Sequence, residues 1–208
     1  NAFAFDIQAV CAGFVYALSV ANGLMCSGQG RNALVIGAET FTKLLDWKDR
    51  STCVLFGDGA GAVILQAEQS KKGFGIIANK LYSDGRYKDI LYVNGGVSST
   101  GTVGHVKMQG RDVFKHAVEK LATAMDQVLK TANLTSEDID WLVPHQANIR
   151  IINAMQKKLN LPNEKVIKTV SEHANTSAAS IPLALDFGVK SGKIKSGHLL
   201  ALEAIGGG

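Results

Sequence analysis

Proline is scarce in this chain, three residues against 22 glycines in a length of 208. Such a backbone has many tight turns or close approaches and few rigid stops. Cysteine is scarce too: Cys11, Cys26 and Cys53 are an odd number without C-x-x-C spacing. That excludes a disulfide framework and a zinc knuckle, and it points to a reducing compartment, here the cytoplasm. The N-x-[ST] sequons at Asn133 and Asn175 then carry no glycan. Aromatic residues amount to 7% and no Lys/Arg run interleaves with them, so a net charge of +4 does not make nucleic acid a partner. His105, His116, His173 and His198 show no ligand spacing, and no metal site is expected. Charged residues are modest at 19% while hydrophobic ones reach 46%, enough for a large core and too little charge for disorder.

No charged residue falls between residues 7 and 30, a length that could cross a bilayer. Gln8, Ser19, Asn22, Ser27, Gln29 and interspersed glycines interrupt the stretch, and no aromatic belt flanks it. It reads as a short strand entering a helix buried on all sides, with no membrane association and no signal peptide. The abrupt apolar opening and the closing Gly206-Gly207-Gly208 read as a piece of a longer chain.

Strand and helix signals alternate. Residues 3–10 are apolar and extended, 12–27 helical, and 33–39 a buried strand by length and β-branched content. Residues 41–50 form a polar loop, and Gly57-Asp58-Gly59-Ala60-Gly61 is a tight turn feeding a strand at 62–67. Residues 71–104 are an irregular β-rich excursion. The strongest helix runs over 112–132, with Phe114, Ala117, Leu121, Met125, Val128 and Leu129 on one face. A strand at 140–144 follows, then a helix at 148–159 with Ile149, Ile152, Met155 and Leu159 inward. A strand at 166–170, a helix at 177–190 and a strand at 198–204 complete the chain. The series implies α/β layers around a mostly parallel sheet.

In open α/β sheets, ligands sit beyond the carboxyl ends of strands, where helices begin. Three polar residues stand at such junctions: Cys11 after FDIQAV, His145 after DWLVP, and Asn175 in SEHANTSAAS. A cysteine at a helix N-terminus feels the positive dipole end, which favours the thiolate and predicts that Cys11 alkylates faster than Cys26 or Cys53. Alone, each has an ordinary structural reading: a core thiol, a turn histidine, a helix cap. Together they supply a nucleophile, a proton carrier and an amide donor. Gly57-x-Gly59-x-x-Ala62 formally matches a dinucleotide fingerprint, but it opens a strand where the fingerprint requires a helix.

Five ordered motifs carry a resemblance: AFDIQAVCAGFVYAL, DRSTCVLFGDGAGAVIL, DWLVPHQANIRII, HANTSAAS and ALEAIGGG. Over essentially its whole length the chain resembles the β-ketoacyl-acyl carrier protein synthase III family of the thiolase-like superfamily. The resemblance implies a layered αβαβα fold, here incomplete, with residues 1–104 the remainder of the N-terminal half and 105–208 the C-terminal half. It implies an acyltransferase that condenses an acyl-coenzyme A primer with malonyl-acyl carrier protein, initiating type II fatty acid synthesis. Cys11 matches the acyl-accepting nucleophile, and His145 and Asn175 match the pair that promotes decarboxylation. Gly207 and the Cys11 N–H match the oxyanion hole. Phe56 matches the bound of the acyl pocket, Arg50 a contact near adenine, and Gly110, Phe114, Ala147 and Asn148 the pantetheine channel. Arg111 stands where better-known members have asparagine, which puts one pantetheine contact in question. The implied partners are acyl-coenzyme A as substrate, an acidic acyl carrier protein docking at Lys115, Arg150, Lys157 and Lys158, and a second copy of the chain in a homodimer. No cofactor is implied.

The order Cys…His…Asn is also that of papain-like hydrolases, but the C-G-[SA]-C-[WY] context and a groove-forming second domain are missing. Chalcone-type synthases share Cys-His-Asn, whereas elongating condensing enzymes carry His where Asn175 stands. A truncated module that binds partners without catalysis is the alternative from a different class.

Overall fold

The computed structural model describes residues 2–69 and 74–207, so the excursion read at 71–104 lies partly outside the described residues. The helices are α1 (Gly13–Cys26), α2 (Gly110–Ala132), α3 (Ile149–Lys158), α4 (Val170–His173) and α5 (Ser180–Lys190). The strands are β1 (Asn32–Glu39), β2 (Gly59–Gln66), β3 (Leu91–Val93), β4 (Val106–Met108), β5 (Trp141–Pro144) and β6 (Leu200–Glu203).

Four layers stack. Helices α2 and α3 cover one face of β5–β6 through Leu121, Met125, Leu142, Ile152 and Met155. On the other face, Phe14 of α1 and Ile181 and Ala184 of α5 share a cluster with Val35 of β1 and Val143 of β5. Helices α1 and α5 thus form a central layer with β1–β2 beyond it. Glycines allow the close approach: a Cβ at Gly37 would sit 2.5 Å from the Ala178 carbonyl oxygen, and one at Gly61 2.8 Å from Pro182 Cβ. The glycine-rich turn thus serves helix-on-strand packing, a role its sequence did not announce. On its outer face the β1–β2 ladder exposes Leu34, Ile36 and Ile64.

Several expectations change. Of the named ladders, β5–β6 is parallel, while β1–β2 and β3–β4 are antiparallel. The strand at 33–39 is buried on one face only, in an alternating pattern. Residues 3–10 pair in no ladder; Phe3 and Phe5 stay exposed and stack on each other. Helix α1 is fully buried only at Gly13 and Phe14, because its far side faces an apolar cleft of ≈ 1030 Å³ bordered by Tyr16 and Ile76. The strand read at 166–170 reduces to one parallel bridge, Leu142–Val166, before α4 starts. In α3 the side chain of Asn148 accepts hydrogen bonds from Arg150 and Ile151 N–H. With the helix started there, Ile151 turns inward and Ile149 is 44% exposed, contrary to its expected place in the core.

Among the described residues, no helix is long and apolar enough to cross a membrane.

Candidate active site

The nucleophile candidate sits where the chain is strained. Val10 has φ = +47°, unusual for a β-branched residue, and Cys11 follows it in a 3₁₀ turn, Val10–Ala12, that leads into α1. Cys11 is buried, and burial pushes its thiol up to about 11, with the nearby Ser177 hydroxyl pulling down and Glu39 pushing up. Burial thus works against the thiolate that the helix terminus favours. Gly206 closes over this turn, since a Cβ there would lie 2.9 Å from Cys11 N and 2.7 Å from the Ala9 carbonyl oxygen.

His145 ends β5, its backbone N–H donating to the Glu203 carbonyl across the ladder at 2.8 Å. Its ring is buried, which pushes it down to about 4, so it is neutral over the physiological range. Nδ1 lies 2.6 Å from Ser180 Oγ at the start of α5. Gln146, fully buried, ties three segments together. Its Nε2 donates to the Pro144 and Ile167 carbonyls, and its Oε1 accepts from Thr169 N–H.

Asn175 bridges to Phe56, its N–H donating to the Leu55 carbonyl and its carbonyl accepting from Gly57 N–H. Its side-chain Oδ1 accepts from Ser177 N–H at 2.9 Å, which leaves the Nδ2 hydrogens as donors. Ala174 and Ser177, on either side, both have positive φ, +59° and +50°. Ala178 N–H is held by Glu39 Oε1 at 3.1 Å. One segment, 175–180, thus contributes Asn175, packs Ser177 against the turn that carries Cys11 and bonds His145 through Ser180.

The other predicted positions divide. Phe56 is buried against Phe41, ring centroids 4.4 Å apart, beside Asn175. Phe114 is half-buried beneath the Arg150 guanidinium, 5.6 Å from its centroid. Ala147 lines a small cavity with His145, and Asn148 caps α3. Gly207 packs beside Leu91, one residue beyond the glycine that meets Cys11. Arg50 and Gly110 are exposed, as are Lys115, Arg150, Lys157 and Lys158 on the outer α2–α3 layer.

The sequence reading passed over Glu39, Gln146, Ser177, Ser180 and Glu203. Glu203 is buried with neither carboxylate oxygen hydrogen-bonded, and burial pushes it up to about 8. The available signal was a pair of serines three residues apart within a segment otherwise of small apolar residues, directly after Asn175.

The whole described chain superposes on 3-oxoacyl-[acyl-carrier-protein] synthase III from Aquifex aeolicus with a TM-score of 0.92 and 44% identity, covering 65% of that chain. Layers and site together define a thiolase-like α/β protein. Residues 5–102 match the family model 3-oxoacyl-[acyl-carrier-protein (ACP)] synthase III, and residues 129–208 match its C-terminal counterpart. Beta-ketoacyl-[acyl-carrier-protein] synthase III of Sphingopyxis alaskensis is 59% identical over 208 residues, and that of Ruegeria pomeroyi 62% over 211. The chain belongs to the 3-oxoacyl-[acyl-carrier-protein] synthase III family. It spans 65% of the length of these two curated relatives, and all of it is covered.

Proposed function

We propose that the full-length protein condenses an acyl-coenzyme A primer with malonyl-acyl carrier protein, with loss of carbon dioxide, as the opening step of type II fatty acid synthesis. The observation that carries this reading is the 175–180 segment, which packs against the turn of the buried Cys11, holds the His145 ring through Ser180 and presents the Asn175 amide.

The chemistry balances in two halves. Cys11 Sγ attacks the thioester carbonyl, coenzyme A leaves as thiolate, and the thiol proton passes to it; one thioester replaces another. In the second half the malonyl carbon–carboxylate bond breaks. Its electron pair becomes an enolate, whose oxygen accepts hydrogen bonds from His145 and Asn175. The enolate carbon attacks the acyl-Cys11 carbonyl, whose oxyanion is received by the N–H groups of Cys11 and Gly207, and Cys11 departs as thiolate. Burial returns that thiolate to the thiol with a proton from solvent. Neither half changes an oxidation state at a cofactor or needs a Lewis acid, so no cofactor is assigned.

Phe56 bounds the acyl pocket, Arg50 meets the adenine end, and Gly110, Phe114, Ala147 and Asn148 border the pantetheine. Lys115, Arg150, Lys157 and Lys158 receive the acidic carrier protein. A cytoplasmic location fits three free thiols in a reducing compartment, and the full-length protein acts as a homodimer. Intact-mass analysis after incubation with acetyl-coenzyme A tests the reading: an acetyl adduct mapping to Cys11 supports it, and an unmodified chain supports an inert module.

A further inference from the structure

A neutral imidazole carries its proton on one nitrogen, and the role given to His145 depends on which. Nδ1 lies 2.6 Å from Ser180 Oγ, a contact that either atom could donate. The neighbours of the hydroxyl decide. Gln146 backbone N–H donates to the same Oγ at 3.2 Å, so one lone pair of the serine is occupied. Were Nδ1–H to donate as well, the serine hydrogen would need an acceptor of its own. Ser180 is 1% exposed, and among the described residues its Oγ makes no hydrogen bond other than these two. A buried hydroxyl hydrogen left unpaired costs about 1–3 kcal/mol. The arrangement that satisfies every group has Gln146 N–H donating to Ser180 Oγ, and Ser180 O–H donating to the Nδ1 lone pair.

Two further features agree. Ser180 is the first residue of α5, whose positive end favours a lone pair over an N–H at Nδ1. Gln146 cannot drift, because its side chain is bonded to Pro144, Ile167 and Thr169.

We propose that Ser180, held by the Gln146 N–H, is the positioning residue that locks His145 as the Nε2–H tautomer. In that form His145 offers substrate a hydrogen-bond donor and no base. The proposal rests on the reaction given above, in which His145 donates to the enolate of the malonyl half, and adds the residue that fixes its tautomer.

The test uses the full-length chain labelled with ¹⁵N-histidine. The His145 signals should show an unprotonated Nδ1 and a protonated Nε2 in the unmodified protein. Ser180→Ala should give a mixture of tautomers and lower malonyl decarboxylation about tenfold, the worth of one hydrogen bond, with acyl-Cys11 formation unchanged. Ser180→Thr should restore both the single tautomer and the rate. A protonated Nδ1 in the unmodified protein overturns the proposal, as does a Ser180→Ala protein that keeps one tautomer. If Ser180→Ala does not fold, the signals of the unmodified chain still decide. The spectrum needs no turnover, so a chain with the expected tautomer but no decarboxylation refutes the reaction and leaves the tautomer standing.

Discussion

His145, one residue past the Pro144–Glu203 pair that ends the β5–β6 ladder, and Glu203 line the same small cavity of ≈ 10 Å³, about one water in size. The rest of its lining is Leu121, Pro144, Ala147, Ile151, Ile152, Met155 and Ile205, so no other titratable group faces the pair there. Burial moves both toward neutrality, and their effects on stability have opposite signs. Glu203 is raised from 4.5 to about 8, so its contribution is fully present below pH 4.5 and lost as pH climbs to 8. His145 is lowered from 6.5 to about 4, so its contribution is fully present above pH 6.5 and lost as pH falls to 4. Between 4.5 and 6.5 the two slopes oppose. Above 6.5 only Glu203 acts, and stability should fall. Glu203→Gln removes that fall, raising unfolding free energy at pH 8 by on the order of 2 kcal/mol relative to pH 6. Urea melts at both pH values decide; an unchanged slope in the variant would show that Glu203 is hydrated and ionised in the fold.

Cys11 should be the slow thiol of the resting protein, although its place before a helix suggested the opposite. It is buried with its thiol pushed up to about 11, whereas Cys26 is exposed and Cys53 half-buried. Peptide mapping after iodoacetamide at neutral pH should find Cys26 labelled first. The Cys11 rate should keep rising with pH toward 11. Cys11 labelled first at pH 7 would mean that the helix terminus and Ser177 outweigh desolvation after all.

The contrast between these two sites shows what was legible in the amino-acid order. Helices α1, α2, α3 and α5 announce themselves within two or three residues, because apolar spacing and the Asn148 cap are local properties. Cys11, His145 and Asn175 were read as polar residues at strand ends, although only His145 follows a strand: residues 3–10 are in none and Asn175 comes after α4. The partners were not, because a bond between Ser180 and His145, or an unpaired Glu203 lining the same cavity, depends on which elements cross. Strand direction was illegible for the same reason: nothing local in 59–66 states that it runs antiparallel to 32–39. Residues 3–10 look like a strand by composition and yet pair with nothing among the described residues, since a ladder needs a neighbour as well as propensity.

Asn175→Ala should separate the two half-reactions. The Oδ1 bond to Ser177 N–H is lost along with the Nδ2 donors, but Ser177 stays tied into the turn through its neighbours. Because the enolate forms only after decarboxylation starts, condensation by the full-length variant should fall by roughly 10²–10³ while acyl transfer to Cys11 stays within a few-fold. Single-turnover acylation followed by mass, beside release of labelled carbon dioxide, separates the outcomes. Equal loss of both would assign Asn175 to holding the turn alone.

Charge reversal on the outer helices should tell docking from channel. Lys157 and Lys158 are exposed in the last turn of α3, and Lys115 is exposed on α2, so they present positive charge without touching the site. Arg150 differs: its guanidinium lies over the Phe114 ring, a residue assigned to the pantetheine channel that both substrates use. Lys157→Glu should therefore raise KM for malonyl-acyl carrier protein by about fivefold at low salt, the scale of one exposed ion pair. The effect should shrink toward none at high salt, because a contact between solvated charges is screened within a Debye length. The acetyl-coenzyme A half-reaction should be unchanged. Arg150→Glu should damage both substrates, since it disturbs the ring as well as the field. If Lys157→Glu harms the coenzyme A half-reaction equally, or its effect survives high salt, α3 supports the fold here and the carrier protein docks elsewhere.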